Sequence, residues 1–212
     1  MDLTPLVHRW LAAWTIARDL APAVEVPGGF RVTLALPGRH HEFMASTFDG
    51  LAPLAAELRA AEPSWLTAFT TDPAGVETEL KAEGLEFFTD AETFMRTDLR
   101  ERPKHRPTNG YAVATTAVGP LIRATVTAPD GTVAASGLMA VAGDTAVAHE
   151  IRTEEAHRRR GLGGVVMTAL GEAAMAQGAT TGLLVASAAG EGLYTSLGWE
   201  SLATVVTARV PA

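Results

Sequence analysis

Between Leu121 and Thr153 lie three β-rich runs, LIRATVTA, TVAASGLMAV and TAVAHEIRT, separated only by PDG and AGD. Gaps this short, each with a glycine, leave room for tight hairpins and nothing longer, so the runs form an antiparallel meander. A helix follows. From Gly161 to Gly178, residues Leu162, Val165, Val166, Ala169, Leu170, Ala173 and Ala174 recur at helical spacing. TGLLVAS then reads as a buried strand, AGEGLYTSLGW as a short helix closed by Gly198, and ATVVTARV as a final strand. Strands and helices mixed in this order make an α/β (mixed α+β) fold.

The best boundary is RTDLRERPKHRPTNGY, Arg96 to Tyr111, which packs prolines, Asn-Gly and charges into a stretch without apolar periodicity. It predicts a first lobe over 1–100, a solvated linker over 101–108 and a second lobe over 109–212. All seven Phe and three of the four Trp lie before residue 100. The end of the first half, WLTAFTTDPAGVETELKAEGLEFFTDAETFMRT, repeats the order strand, short helix, glycine, strand. Aligning Gly84 with Gly198 sets Leu85 against Trp199 and Thr93 against Thr207, a weak internal repeat. Leu80 then stands where the second copy has Tyr194, and no arginine-glycine turn precedes it.

The chain of 212 residues has a net charge of −7 and no cysteine. Thiolate metal sites, disulfides and cysteine nucleophiles are excluded. The acidic balance argues against broad nucleic-acid binding. No run approaches a membrane span and MDLTPLVHRW lacks a secretory pattern, so the expected compartment is the cytoplasm. Three of the six basic residues after 108 are Arg158, Arg159 and Arg160.

These arginines belong to AHRRRGLGG, between the last meander strand and the helix. The first N–H groups of a helix lack partners and carry the positive end of its dipole. Glycines at 161, 163 and 164 remove the β-carbons that would keep an anion away, so a pyrophosphate is the natural guest. A P-loop would need Gly-Lys-Ser/Thr, where Gly163, Gly164 and Val165 stand; a dinucleotide fingerprint would need glycine at Val166.

The pattern Arg158-Arg159-Arg160-Gly161-Leu162-Gly163, with the meander before it and LLVAS…LYTSLGW after it, resembles the acyl-CoA signature of the GNAT superfamily of N-acetyltransferases. The resemblance covers about 111–210. It implies a GNAT fold: a mixed, mostly antiparallel sheet with two splayed strands, flanked by helices, here two-lobed with a degenerate first lobe. It implies acetyl-CoA as co-substrate, its pyrophosphate on Arg159 to Gly164 and its pantetheine along Ile151, Arg152 and Thr153, with AVAHEIRT and GLLVAS as the splayed strands. Arg158 opens the signature, and Arg159 and Arg160 are candidates for the 3′-phosphate.

The resemblance also assigns Tyr194 as the acid that protonates the departing thiolate. For the base it points to the strand before the signature, where His149 and Glu150 are neighbours on opposite faces. His149 shares parity with Ile151 and Thr153 and suits neutral pH; Glu150 takes its place if a β-bulge shifts the phase. Ser187 stands where many relatives have an asparagine toward the cofactor. Gly119-Pro120 leaves no room for the helices that usually wall the acceptor, so the first lobe is expected to supply that wall, with Phe43, Trp10 or Trp14 near it.

The expected activity is acetyl transfer to a primary amine of a small molecule, peptide or protein by direct attack in a ternary complex; an acyl-CoA-binding sensor without turnover is the alternative. No metal, nucleic-acid or membrane partner is expected, and oligomeric state is open, a homodimer included. His40-His41-Glu42 reads as a solvated turn after LPG.

Overall fold

A computed structural model describes residues 2–88 and 92–211. The first lobe runs α1 (Thr4–Ala17), β1 (Val24–Val26), β2 (Gly29–Leu36), β3 (Arg39–Ala45), α2 (Leu51–Ala60), β4 (Trp65–Thr70), α3 (Pro73–Ala82), β5 (Glu86–Phe87) and β6 (Glu92–Asp98). The second runs β7 (Ala112–Val118), β8 (Leu121–Thr127), β9 (Val133–Ala142), β10 (Thr145–Thr153), α4 (Leu162–Ala176), β11 (Thr181–Ala186), α5 (Ala188–Ser196) and β12 (Glu200–Arg209). The meander is β8–β9–β10, as its hairpin turns dictate, and β7 extends it through Gly119-Pro120.

All strands join one sheet in the order β1-β2-β3-β4-β12-β6-β11-β10-β9-β8-β7, with β5 also on β12. The lobes exchange their last strands. β6 of the first lobe lies between β11 and β12 of the second, while β12 lies between β6 and β4. Thr204 of β12 pairs with Thr70 on one side and Thr93 on the other. The internal repeat is therefore structural. α2 links the parallel pair β3–β4 as α4 links the parallel pair β10–β11, and α3 and α5 follow in turn. Asp72 caps α3, accepting from the Gly75 N–H at 3.0 Å, with Pro73 in the first turn. Gly84 and Gly198 end the repeat-related helices in matching left-handed conformations, φ 75° and 82°.

The sheet's two faces hold different cores. On one, α1 buries Trp10, Leu11 and Trp14 against Phe69, Phe94, Val147 and Leu183. On the other, α2 and α3 cover Phe43, Leu66 and Val206, and α4 covers Ile122, Met139 and Ala146. Adjacent residues of one strand thus serve opposite layers: Val147 faces α1 and Ala146 faces α4.

Two expectations change. The segment 101–108 has no helix or strand, yet it is packed along α4 rather than solvated throughout. Arg102 is 8% exposed and lies against Gly171, His105 N–H donates to Thr168 Oγ1 at 2.9 Å, and Arg106 makes a two-pronged pair with Glu172. His40, His41 and Glu42 lie in β3, not in a turn. His40 pairs with Glu62 at 2.9 Å, His41 Nδ1 meets Thr33 Oγ1, and Glu42 is buried.

Candidate functional site

β10 and β11 are paired only from Thr145–Thr181 to Val147–Leu183, and beyond that they part. The edge of β10 facing β11 is therefore open from Ala148 onward, while its other edge stays on β9 as far as Thr153. In the first lobe β3 and β4 remain paired to Ala45–Ala68, the end of β3, so the equivalent gap does not open. A register shift between His149 and Arg152 marks a bulge, with Glu150 at φ 52°. The bulge breaks the expected parity: His149 stays on the α1 face, whereas Ile151 packs into the core under α4. Glu150 is exposed and on neither cavity wall.

On the α4 face, a groove of about 750 Å³ runs along Ile151, Arg152 and Thr153, the arginine-glycine turn, and Ala189 and Leu193 of α5. Gly161 caps α4 at φ 73°, a conformation that suits glycine, and a β-carbon there would meet nothing within 4 Å. Gly163 and Gly164 have another reason to be small. Their β-carbons would lie 2.9 Å from Leu193 and from the His105 ring, so their smallness also admits α5 and the 101–108 segment, while Gly163 still lines the groove. The three arginines also divide. Arg158 and Arg159 line the groove, while Arg160 donates to Tyr111 Oη at 2.8 Å and reaches the Ala156 carbonyl. Tyr111 Oη in turn meets His157 Nδ1 at 2.9 Å, which ties the turn to the start of β7.

On the α1 face, a second cavity of about 380 Å³ lies between the lobes. His149 and Val185 border it where β10 and β11 part, and Val205 and Thr207 of β12 lie in its floor. Its walls are aromatic: Trp10 and Trp14, stacked at 5.0 Å, and Trp65 and Phe88 at 4.3 Å. Arg39 sits over Trp65 at 4.0 Å and pairs with Glu42, whose other oxygen accepts from Thr67 at 2.7 Å. Burial, then the nearby Arg18 charge, holds His149 below the usual imidazole pKa, so it is neutral at neutral pH.

Tyr194, on α5, packs edge-on to Trp199 at 6.0 Å and borders neither cavity. Burial pushes its hydroxyl up to about 12, so it stays protonated, and it has no hydrogen-bond partner among the described residues. Ser187 is the exposed residue before α5 and lies on neither wall. Of the aromatics expected at the acceptor wall, Trp10 and Trp14 line the cavity; Phe43 is buried on the opposite face. Trp65, Phe88 and Arg18 were not foreseen: they belong to separate stretches that the strand exchange brings together. Among the described residues, no three His, Asp or Glu side chains group to hold a metal ion, and no helix is long and apolar enough to cross a membrane.

Residues 134–210 match the family model of FR47-like proteins. No curated protein matches the sequence. Among solved structures, the chain is similar to a GCN5-related N-acetyltransferase from Kribbella flavida, at 18% identity and a TM-score of 0.73, over 100% of this chain and 97% of that one. It is also similar to a tandem GNAT protein from the clavulanic acid biosynthesis pathway, at 15% identity and a TM-score of 0.58, over 77% and 70% of the two chains. A third is a GCN5-related N-acetyltransferase from Sphaerobacter thermophilus, at 11% identity and a TM-score of 0.62, over 97% and 91%. At such identities the likeness speaks for the fold, and the meander, signature turn, splayed strands and doubled architecture agree with it. The chain has the two-lobed fold of these N-acetyltransferase structures, and its residues 134–210 match the FR47-like family model.

Proposed function

We propose that the protein transfers an acetyl group from acetyl-CoA to a primary amine. The observation that carries this reading is a pair of cavities flanking the gap where β10 leaves β11, one bordered by His149 and Val185 and the other starting at Ile151 on the opposite face of the sheet. The groove suits the coenzyme: unpaired N–H groups at the start of α4, flanked by Arg158 and Arg159, for a pyrophosphate, and the open edge of β10 for an amide-bearing arm. The gap would let the thioester through to the amine in the interlobe cavity. We assign the working site to the second lobe, 109–212, and the acceptor wall to the first, 1–100, with 101–108 joining them.

The chemistry then follows from the residues. The ammonium first loses a proton to solvent; His149, held neutral, then accepts the second proton as the neutral amine nitrogen bonds to the acyl carbon. The carbon–sulfur bond breaks and Tyr194, held protonated, gives its proton to the leaving thiolate. Because Tyr194 borders neither cavity, this role requires the α5 end to lie against the thioester when the groove is filled. Glu150, exposed at the bulge, is the weaker base candidate. Without cysteine, direct attack in a ternary complex is the simplest route.

The test is free-thiol release from acetyl-CoA with a panel of primary amines. Amine-dependent release supports the reading; tight acetyl-CoA binding with no release on any amine supports a sensor instead.

A further inference from the structure

Resting on the acyl-transfer reading, we infer that the acceptor is an amine that also carries a carboxylate and a ring, an aromatic amino acid being the simplest member. The interlobe cavity has more to bind than an amine. Its two arginines differ in kind. Arg39 is committed, pairing with Glu42 and stacking on Trp65. Arg18 stands over Trp14 at 5.0 Å, half-buried, with no ion-pair partner among the described residues. A partly desolvated cation that Glu42 and Glu150 influence only through space, with no ion pair among the described residues, is the group a ligand carboxylate completes.

Residues of the cavity walls also carry buried donors that lack a partner. The indole N–H groups of Trp10 and Trp65 and the Arg39 Nε are buried without a partner. All three are donors, and among the described residues no buried side-chain acceptor on these walls is left unpaired, the lining carboxylates Glu42 and Glu92 both having partners. A surplus of donors calls for an acceptor-rich group such as a carboxylate. The two aromatic pairs, Trp10–Trp14 and Trp65–Phe88, offer faces and edges to a ring. A volume of about 380 Å³ suits a small molecule. Arg18 also opposes a polyamine, whose second cation would meet a like charge. Within the cavity, Arg18 takes the carboxylate, the indoles take the ring, and the amine lies toward His149.

Binding and turnover test the two layers separately. Three of the four tryptophans line the cavity, so indole emission, with acetyl-CoA affinity measured in parallel by calorimetry, reads its occupancy. Titration with phenylalanine is expected to give a saturable change at a concentration at least tenfold below that needed for phenethylamine or alanine. Arg18→Met is expected to remove that tenfold preference by weakening phenylalanine binding, and Arg18→Lys to restore part of it. Thiol release is expected to give phenylalanine a kcat/KM at least tenfold above phenethylamine. Phenethylamine matching phenylalanine in binding and turnover overturns the inference while leaving acyl transfer intact. An unchanged preference in Arg18→Met overturns it as well. Phenylalanine binding with no thiol release from any amine overturns the acyl-transfer reading, and the acceptor assignment with it.

Discussion

Thr67 of β4 and Thr207 of β12 meet hydroxyl to hydroxyl at 3.3 Å across 140 residues of chain. Both border the interlobe cavity. The contact exists because the last strand of the second lobe is laid on the first, and the cavity exists for the same reason. Its walls come from α1, β3 and β4 on one side and from β10, β11 and β12 on the other.

Neither lobe is therefore expected to fold alone. Residues 109–212 without the first lobe lose β6 from between β11 and β12, and lose α1 from over Val147 and Leu183. Thermal melting followed by circular dichroism is expected to show no cooperative transition for this fragment, against a sharp one for the full chain. A sharp transition in the fragment contradicts the exchange as a condition of stability.

His149 titrates below 6.5 in the folded chain, by burial first and by Arg18 second. The unfolded chain then holds its proton more tightly, so this group's contribution to stability rises with pH through the window below about 6.5 and falls on acidification. NMR of the imidazole is expected to show a midpoint below 6.5, and Arg18→Met to move it upward. As the base, His149→Gln is expected to remove the acidic limb of the pH–rate profile; a limb unchanged in that variant and lost in Glu150→Gln transfers the role to the bulge.

For Tyr194 the expected signature is a split between binding and rate. Tyr194→Phe keeps the ring against Trp199 and removes only the hydroxyl. Acetyl-CoA affinity is expected to hold while kcat falls about 10²-fold, the low end for general acid catalysis. An unchanged kcat removes Tyr194 from the mechanism.

At Gly161 space and conformation separate. A methyl group meets nothing within 4 Å, yet the residue sits at φ 73°. Gly161→Ala is expected to cost about 1–2 kcal/mol in chemical denaturation through the left-handed backbone alone. It is also expected to weaken acetyl-CoA binding in calorimetry, because relief of that strain moves the turn. Unchanged stability and affinity contradict the turn's rigidity.

Much of the second lobe was legible because its signals are local. Hairpin glycines fix β8–β9–β10, helical spacing gives 161–178 against the observed Leu162–Ala176, and the arginine-glycine turn lies between strand and helix as read. The phase at His149 was not fixed by sequence, since one bulged residue reverses every face after it. Nor was the partner of β6. Pairing Phe94 with both Val185 and Ala203 joins positions 91 and 109 residues apart, and nothing near Phe94 encodes either. The cavity inherits that illegibility: Trp10 and Trp14 could be nominated from composition and Arg18 lies one turn beyond Trp14, but Trp65 and Phe88 join them only through the exchange. That Gly163 and Gly164 also make room for Leu193 and His105 is equally illegible, since both contacts come from distant segments.

The most direct test of the account is a crystal structure with acetyl-CoA. It predicts the pyrophosphate on the turn from Arg159 to Gly164, the pantetheine along Ile151 to Thr153, and the thioester in the gap between His149 and Val185, facing the aromatic cavity. Acetyl-CoA bound in the first lobe, or with its thioester directed away from that gap, would contradict it.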